Sequence, residues 1–354
     1  MQTRSPVPVT ILTGFLGAGK TTLLNRLLNA DHGLRVAVLV NDFGAINIDA
    51  QLVVGVEDDG SMITLQNGCI CCTIRDDLLK TAIDLMRRPD PPEYIIIETS
   101  GVSDPASVAG TFLLPEIRSL VRVDGILTVI DAEQARTLEN ELYFLAMEQI
   151  GVADIVVLNK IDLVDEAHRA ELHTWIRSIS EKARIYDTSY GDVPPALLLG
   201  VGAYDPAALA ARDAHDIHVH EAGEHHHDHA HDHSLVFDTW SWASEQPLSL
   251  KALKKVIENL PLPIYRAKGF VFLAEAPDNR AVLHVVGKRV SLTFSEVWGE
   301  AKAHTQIVFI GTHGGIDTDD LRARFEGALA INQPASELER VKDQVIGWLR
   351  GKRG

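Results

Sequence analysis

The run Thr10 to Leu24, TILTGFLGAGKTTLL, constrains this chain more than any other stretch. Gly14-Phe15-Leu16-Gly17-Ala18-Gly19-Lys20-Thr21 fits the spacing G-x-x-x-x-G-K-[ST] of a P-loop. An apolar strand, Val7 to Leu12, is expected before it, and a helix, Thr22 to Asn29, after it. Strand, glycine loop and helix in that order make a phosphate cradle, because the glycines let successive backbone N–H groups turn inward. The helix N-terminus adds partial positive charge. Gly14, Gly17, Ala18, Gly19, Lys20, Thr21 and Thr22 are therefore candidate phosphate-binding residues. Lys20 reaches β- and γ-phosphates in such a loop, and the Thr21 hydroxyl is a Mg²⁺ ligand.

Length and charge limit the rest. A chain of 354 residues has room for two domains. Its net charge of −16 disfavours nucleic acid and anionic membrane as non-specific partners. No apolar run approaches a membrane span, and the amino terminus has no signal-peptide series. All three cysteines fall between positions 69 and 72, which is not a secreted disulfide framework. A soluble protein in a reducing, cytoplasmic compartment is expected.

Strands are expected at Arg35 to Val40, Met62 to Leu65, Tyr94 to Ile97, Val123 to Ile130, Ile155 to Leu158 and Ala183 to Tyr186. Helical spacing falls between them, at Thr73 to Met86, Glu139 to Ile150 and Ala167 to Lys182. Such alternation implies an α/β fold, a P-loop NTPase parallel sheet covered by helices over residues 1–202. Residues 203–234 are rich in Ala, Asp and His and have no sustained apolar period, so they read as a linker. Beyond it, strands at Leu235 to Trp240, Phe270 to Leu273, Ala281 to Val286, Val290 to Phe294 and Ile307 to Ile310, with helices at Leu250 to Asn259 and Thr318 to Ala330, suggest a smaller α+β domain over 235–354. Ser336 to Leu349 is a further helical pattern.

Functional loops in parallel sheets lie at the carboxyl ends of strands. Glu98 stands there, where an acid completes the Mg²⁺ site, and Gly101 allows the backbone to approach a γ-phosphate. Asn159-Lys160-Ile161-Asp162 ends a later strand. A carboxylate at Asp162 accepts both N1–H and the exocyclic amine of guanine, a pair that adenine does not offer. Asn159 can tie this loop to the P-loop, and the Lys160 stem can cover the base. Thr188-Ser189 is a weaker candidate for further base contacts. GTP is thus preferred over ATP.

Cys69-Ile70-Cys71-Cys72 directly precedes a helix start, which favours thiolate. Thiolates at Cys69, Cys71 and Cys72 suit Zn²⁺ and other soft or borderline ions such as Co²⁺ or Ni²⁺. Three ligands leave a closed site one short, which suits metal that is handed on. A redox pair, a vicinal disulfide or buried small hydrophobes are the alternatives. The tract containing His225, His226, His227, His229, His231 and His233 is compositionally metal-binding, or else a solvated linker. Asp42, Asp49, Glu57, Asp58 and Asp59 lie where a switch segment belongs, and one of them could orient the attacking water, contact Mg²⁺ or complete the cysteine site, solvated turn acids being the alternative for each. Asp42 is taken as the candidate metal ligand and Asp49 as the candidate for the water.

The set GFLGAGKTT, NDFG, NGCICC, ETSG and NKID resembles the CobW-type branch of the P-loop GTPases, relatives of the HypB and UreG nickel-insertion proteins. Arg266-Ala267-Lys268-Gly269 is similar to that family's small C-terminal domain. The resemblance implies GTP hydrolysis coupled to delivery of zinc, or of cobalt for cobalamin synthesis, to a client metalloprotein. It implies phosphate binding at Gly14 to Thr22, Mg²⁺ at Glu98, guanine at Asn159 and Asp162, and metal at the three cysteines. Many members carry Glu where this chain has Asp42. A passive zinc buffer is the rival reading. Client and oligomeric state, including any homo-oligomer, are left open.

Overall fold

The computed structural model describes residues 6–30, 32–41, 62–64, 71–101, 103–199, 237–299 and 301–334. The chain divides into two compact units, Met1–Leu199 and Gly200–Gly354.

The first unit is a seven-stranded sheet. Its strands are β1 (Val7–Gly14), β2 (Val36–Asn41), β3 (Met62–Thr64), β4 (Tyr94–Thr99), β5 (Val121–Asp131), β6 (Ile155–Asn159) and β7 (Arg184–Asp187). Their order is β3-β2-β4-β1-β5-β6-β7, and every neighbouring pair is parallel. The chain crosses to one side of β1 first and to the other side later. The carboxyl end of β1, between β4 and β5, is therefore the switch point where such sheets hold ligands. β4 and β6 are buried along their whole length, which explains why they read as unbroken apolar runs.

The helices are α1 (Lys20–Asn29), α2 (Cys71–Met86), α3 (Pro105–Thr111), α4 (Asn140–Val152), α5 (Glu166–Ile179) and α6 (Pro195–Leu199). Leu78, Ala82 and Leu85 of α2 and Val108 of α3 pack with Val9, Ile11, Leu39, Ile95 and Ile97. Ile150 of α4 and Leu172, Trp175 and Ile176 of α5 close a second core over Val156 and Leu158. Helix α3 has no counterpart among the expected helices. Its seven residues are too few to show a period, although Asp104 accepts from the amides of Ala106 and Ser107 and Pro105 stands at the first turn.

At the amino-terminal end of the sheet, Tyr94 Oη donates to Asp124 Oδ2 at 2.8 Å and lies 2.8 Å from Thr10 Oγ1. These buried groups belong to β4, β5 and β1, so the central strands are fastened at the end away from the phosphate loop.

The second unit is an antiparallel sheet of β8 (Phe237–Ser244), β9 (Ile264–Phe272), β10 (Asn279–Val286), β11 (Arg289–Val297) and β12 (Thr305–Thr312), in the order β11-β10-β9-β12-β8. Helices α7 (Leu250–Glu258) and α8 (Thr318–Gly327) bury Leu253, Ile257, Leu321 and Phe325 against one face of it. Trp240, Phe309, Ala267 and Val285 stand side by side on that face. Strand β9 begins six residues before the expected Phe270. Arg266 and Lys268 lie on the opposite face, so the strand's first half shows a polar alternation.

Glu275 is 1% exposed and accepts from the Leu250 amide at 3.0 and 3.1 Å, capping α7 from outside the helix. Burial raises its pKa, with the hydrogen bonds opposing the rise. A raised carboxyl pKa means that the folded state holds the proton more tightly than the unfolded chain. Its contribution to stability therefore falls as pH rises from the ordinary carboxylate value through the raised one. Glu275→Gln is expected to lose that slope. Melting temperatures of wild type and variant between pH 4 and 8 should diverge in the variant's favour as pH rises, then run parallel.

Candidate functional site

Five loops meet at the carboxyl ends of β1, β4, β5, β6 and β7. The first is the phosphate loop, which passes into α1 through Gly19 at φ +102°. A Cβ there would lie 2.3 Å from Asn159 Nδ2, so glycine meets both a backbone need and a packing need. Lys20 is only 6% exposed. Its Nζ donates to the carbonyls of Gly14 at 2.8 Å and Phe15 at 3.3 Å. The ammonium is thereby folded across the loop that carries it. Thr22 is exposed on the first turn of α1.

Thr21 Oγ1 donates to Glu98 Oε1 at 3.0 Å, and Glu98 is 1% exposed. A buried carboxylate facing a hydroxyl at the head of the phosphate loop is a hard-oxygen donor set, and that chemistry fits Mg²⁺. Three residues on, Gly101 comes so near the phosphate loop that a Cβ would be 2.7 Å from the Leu16 amide nitrogen. Gln149 of α4, 1% exposed, donates through Nε2 to the Gly101 carbonyl at 3.2 Å. The Glu98–Gly101 loop thus lies between the phosphate loop in front and α4 behind.

Asn159 joins three loops. Its Nδ2 donates to Ala18 O at 2.8 Å, and its Oδ1 accepts from the Gly191 amide at 2.9 Å. The Ile161 amide donates to Thr188 O at 3.2 Å. Lys160 takes the left-handed conformation, φ +63°, uncommon outside glycine. Its Nζ donates to Asp131 Oδ2 at 2.7 Å. Asp162 follows on a single 3₁₀ turn, Ile161–Leu163, and is exposed. Beside it, Thr188 is fully buried and donates to Asp192 O at 2.7 Å, which shapes the loop after β7.

Gly14, Gly17, Ala18, Gly19, Lys20, Thr21, Glu98, Gly101, Asn159 and Lys160 therefore converge on one rim of the sheet. Cys71 opens α2, whose first seven side chains lie outside the described residues. Cys69, Asp42, Asp49 and the histidines His225 to His233 also lie outside them. Among the described residues, no three His, Cys, Asp or Glu side chains gather as a metal site, and no helix is long and apolar enough to cross a membrane.

Sequence reasoning passed over Gln149, and it marked Asp131 as the end of a strand without giving it a role. Gln149 falls on the buried side of α4, where a polar residue breaks the apolar pattern. Asp131 is the last residue of β5, the same kind of position that drew attention to Glu98.

Residues 8–187 match the CobW/HypB/UreG nucleotide-binding domain, and residues 237–329 match the cobalamin synthesis protein CobW C-terminal domain. A zinc chaperone CobW from Sinorhizobium sp. is 35% identical over 347 residues, covering 90% of this chain and 95% of that protein. The zinc-regulated GTPase metalloprotein activator 1 of Dictyostelium discoideum is 28% identical over 344 residues, covering 84% of this chain and 70% of that protein. A crystal structure of Zn(II)-bound YjiA GTPase from E. coli shares 26% identity, covers 92% of this chain and 99% of its own, and superposes with a TM-score of 0.45. With both domains matched in order along one chain, this protein belongs to the CobW branch of the CobW/HypB/UreG family of P-loop GTPases.

Proposed function

We propose that this GTPase is a zinc metallochaperone, which binds Zn²⁺ through Cys69, Cys71 and Cys72 and passes it to a client metalloprotein under control of the bound nucleotide. The observation that carries this reading is the Thr21–Glu98 hydrogen bond at the head of the phosphate loop. Glu98 is the penultimate residue of β4, β4 is paired with β2, and β2 with β3. The cysteine run follows β3 in the sequence, and its last two members, Cys71 and Cys72, open α2. β3, which the cysteine run follows in the sequence, thus ends at the same rim of the sheet as β4, two strands away. The names of the relatives, zinc chaperone and metalloprotein activator, point the same way.

In hydrolysis, water attacks the γ-phosphate in line and the β–γ bridging oxygen leaves with the electron pair. Lys20, held over the phosphate loop, stabilises charge that develops on the phosphate oxygens. Thr21 and Glu98 would hold Mg²⁺, directly or through water, and that ion when bound neutralises charge on the β- and γ-oxygens. Asp162 accepts from guanine, and Asn159 keeps the base loop in register with the phosphate loop. Asp49 is the carboxylate proposed to orient the attacking water, and Asp42 is an auxiliary metal ligand. The histidines between His225 and His233 gather Zn²⁺, with Co²⁺ and Ni²⁺ as competitors. Residues 1–202, 203–234 and 235–354 serve as GTPase domain, His-rich linker and C-terminal domain.

The test is a competition titration with a chromogenic zinc chelator, with GDP and with a non-hydrolysable GTP analogue. Allosteric coupling of ordinary strength changes Zn²⁺ affinity about 5- to 150-fold between the two states. The Cys69→Ser, Cys71→Ser, Cys72→Ser variant should lose the nucleotide-dependent component and keep a weaker one from the histidines. Identical affinities in both nucleotide states would leave a passive store.

A further inference from the structure

We infer that Asp131 is a positioning residue for the nucleobase: it holds the Lys160 ammonium so that the Lys160 stem lies as a fixed platform for the guanine ring. The inference rests on the guanine reading of the Asn159–Asp162 loop.

Asp131 ends β5 and is 6% exposed. Each of its carboxylate oxygens has its own work. Oδ1 accepts from the amides of Glu133 and Gln134, at 3.0 and 3.3 Å, which turns the chain away from the sheet. Oδ2 receives the Lys160 ammonium at 2.7 Å. The backbone at both ends is fixed as well. The Ala132 amide donates to Asn159 O at 2.9 Å, so the residues after Asp131 and before Lys160 are joined directly. Lys160 itself is in the left-handed region and is followed at once by a 3₁₀ turn.

A lysine on a loop ordinarily samples many rotamers, and ordering it costs conformational entropy. Here both ends of the side chain are held, the Cα by the loop and the Nζ by Asp131, so the four methylenes span a set path before any ligand arrives. Two residues along the same turn stands Asp162, exposed and proposed to read the guanine edge. A base whose edge meets Asp162 requires a support for its face, and the Lys160 stem is the amphipathic surface on that turn. The Asp131 carboxylate also directs the ammonium into the protein, leaving the methylenes to meet the ring. The chemistry of Asp131 thus acts on nucleotide affinity through Lys160, with no contact to the nucleotide.

The experiment uses the full chain and measures dissociation constants for GDP, ADP and inorganic tripolyphosphate. Asp131→Asn keeps an oxygen for the Glu133 and Gln134 amides and removes the charge. It is expected to weaken GDP by about 5- to 30-fold, the scale of ordering a free lysine side chain when the base binds. Tripolyphosphate, which has no base, should bind as to wild type. Lys160→Met keeps an apolar stem without the ammonium, and adding Asp131→Asn to it should cost GDP nothing more. Unchanged GDP affinity in Asp131→Asn overturns the inference. So does an equal loss for tripolyphosphate, or a full further loss in the Lys160→Met background. A wild type that holds ADP as tightly as GDP would remove the guanine reading alone. In that case, a loss of both nucleotides with tripolyphosphate spared still supports the clamp.

Discussion

Replacing Lys20 by alanine is expected to reduce GTP turnover at saturating nucleotide by about 100- to 1000-fold, the effect of removing one preorganised group from a charge-developing transition state. Lys20 is buried and its ammonium already lies across the phosphate loop on the carbonyls of Gly14 and Phe15. Little reorganisation is then needed when the γ-phosphate departs, and this is the condition under which a single charge contributes most. Phosphate release measures the rate, and a melting curve separates chemistry from folding. A variant with wild-type turnover would show that the loop binds phosphate without taking part in its transfer.

Asp162→Ala is expected to lower the preference for GTP over ATP by at least 100-fold. Two charge-assisted hydrogen bonds to guanine are lost, each contributing about 1.5–3 kcal/mol. Asp162 is exposed and its neighbours Asn159 and Lys160 are held by their own partners, so the substitution leaves the loop in place. The loss should therefore appear in GTP and GDP affinity, with tripolyphosphate affinity and melting temperature near wild type. An unchanged ratio of GTP to ATP affinity would exclude guanine as the base read at this loop.

The parts of this site that were legible in the sequence are those made by one continuous stretch. The phosphate loop, the Glu98–Gly101 loop and the Asn159–Asp162 loop each carry their chemistry within eight residues or fewer. A strand before them and a turn or helix after are enough to place them. The parts that were not legible join residues far apart. Gln149 meets Gly101 from 48 positions away, and Asp131 meets Lys160 from 29. Neither pairing has a spacing rule, because each follows from which strand lies next to which. In the fold, β4 and β6 were plain because burial on both faces makes them uniformly apolar. The first half of β9 was not, because Arg266 and Lys268 alternate with inward residues on a sheet covered by helices on one face.

The single amide of Asn159 has a consequence for what the site will accept. One end of it is attached to the phosphate loop and the other to the loop beside the base. The two halves of the binding cleft are therefore spaced by the length of one short, branched side chain packed into the protein, and the spacing exists before any ligand enters. The cleft works as a gauge. It measures the distance from ring to phosphate along with the identity of each, so a guanine derivative with a longer or shorter link between them would satisfy one end and miss the other.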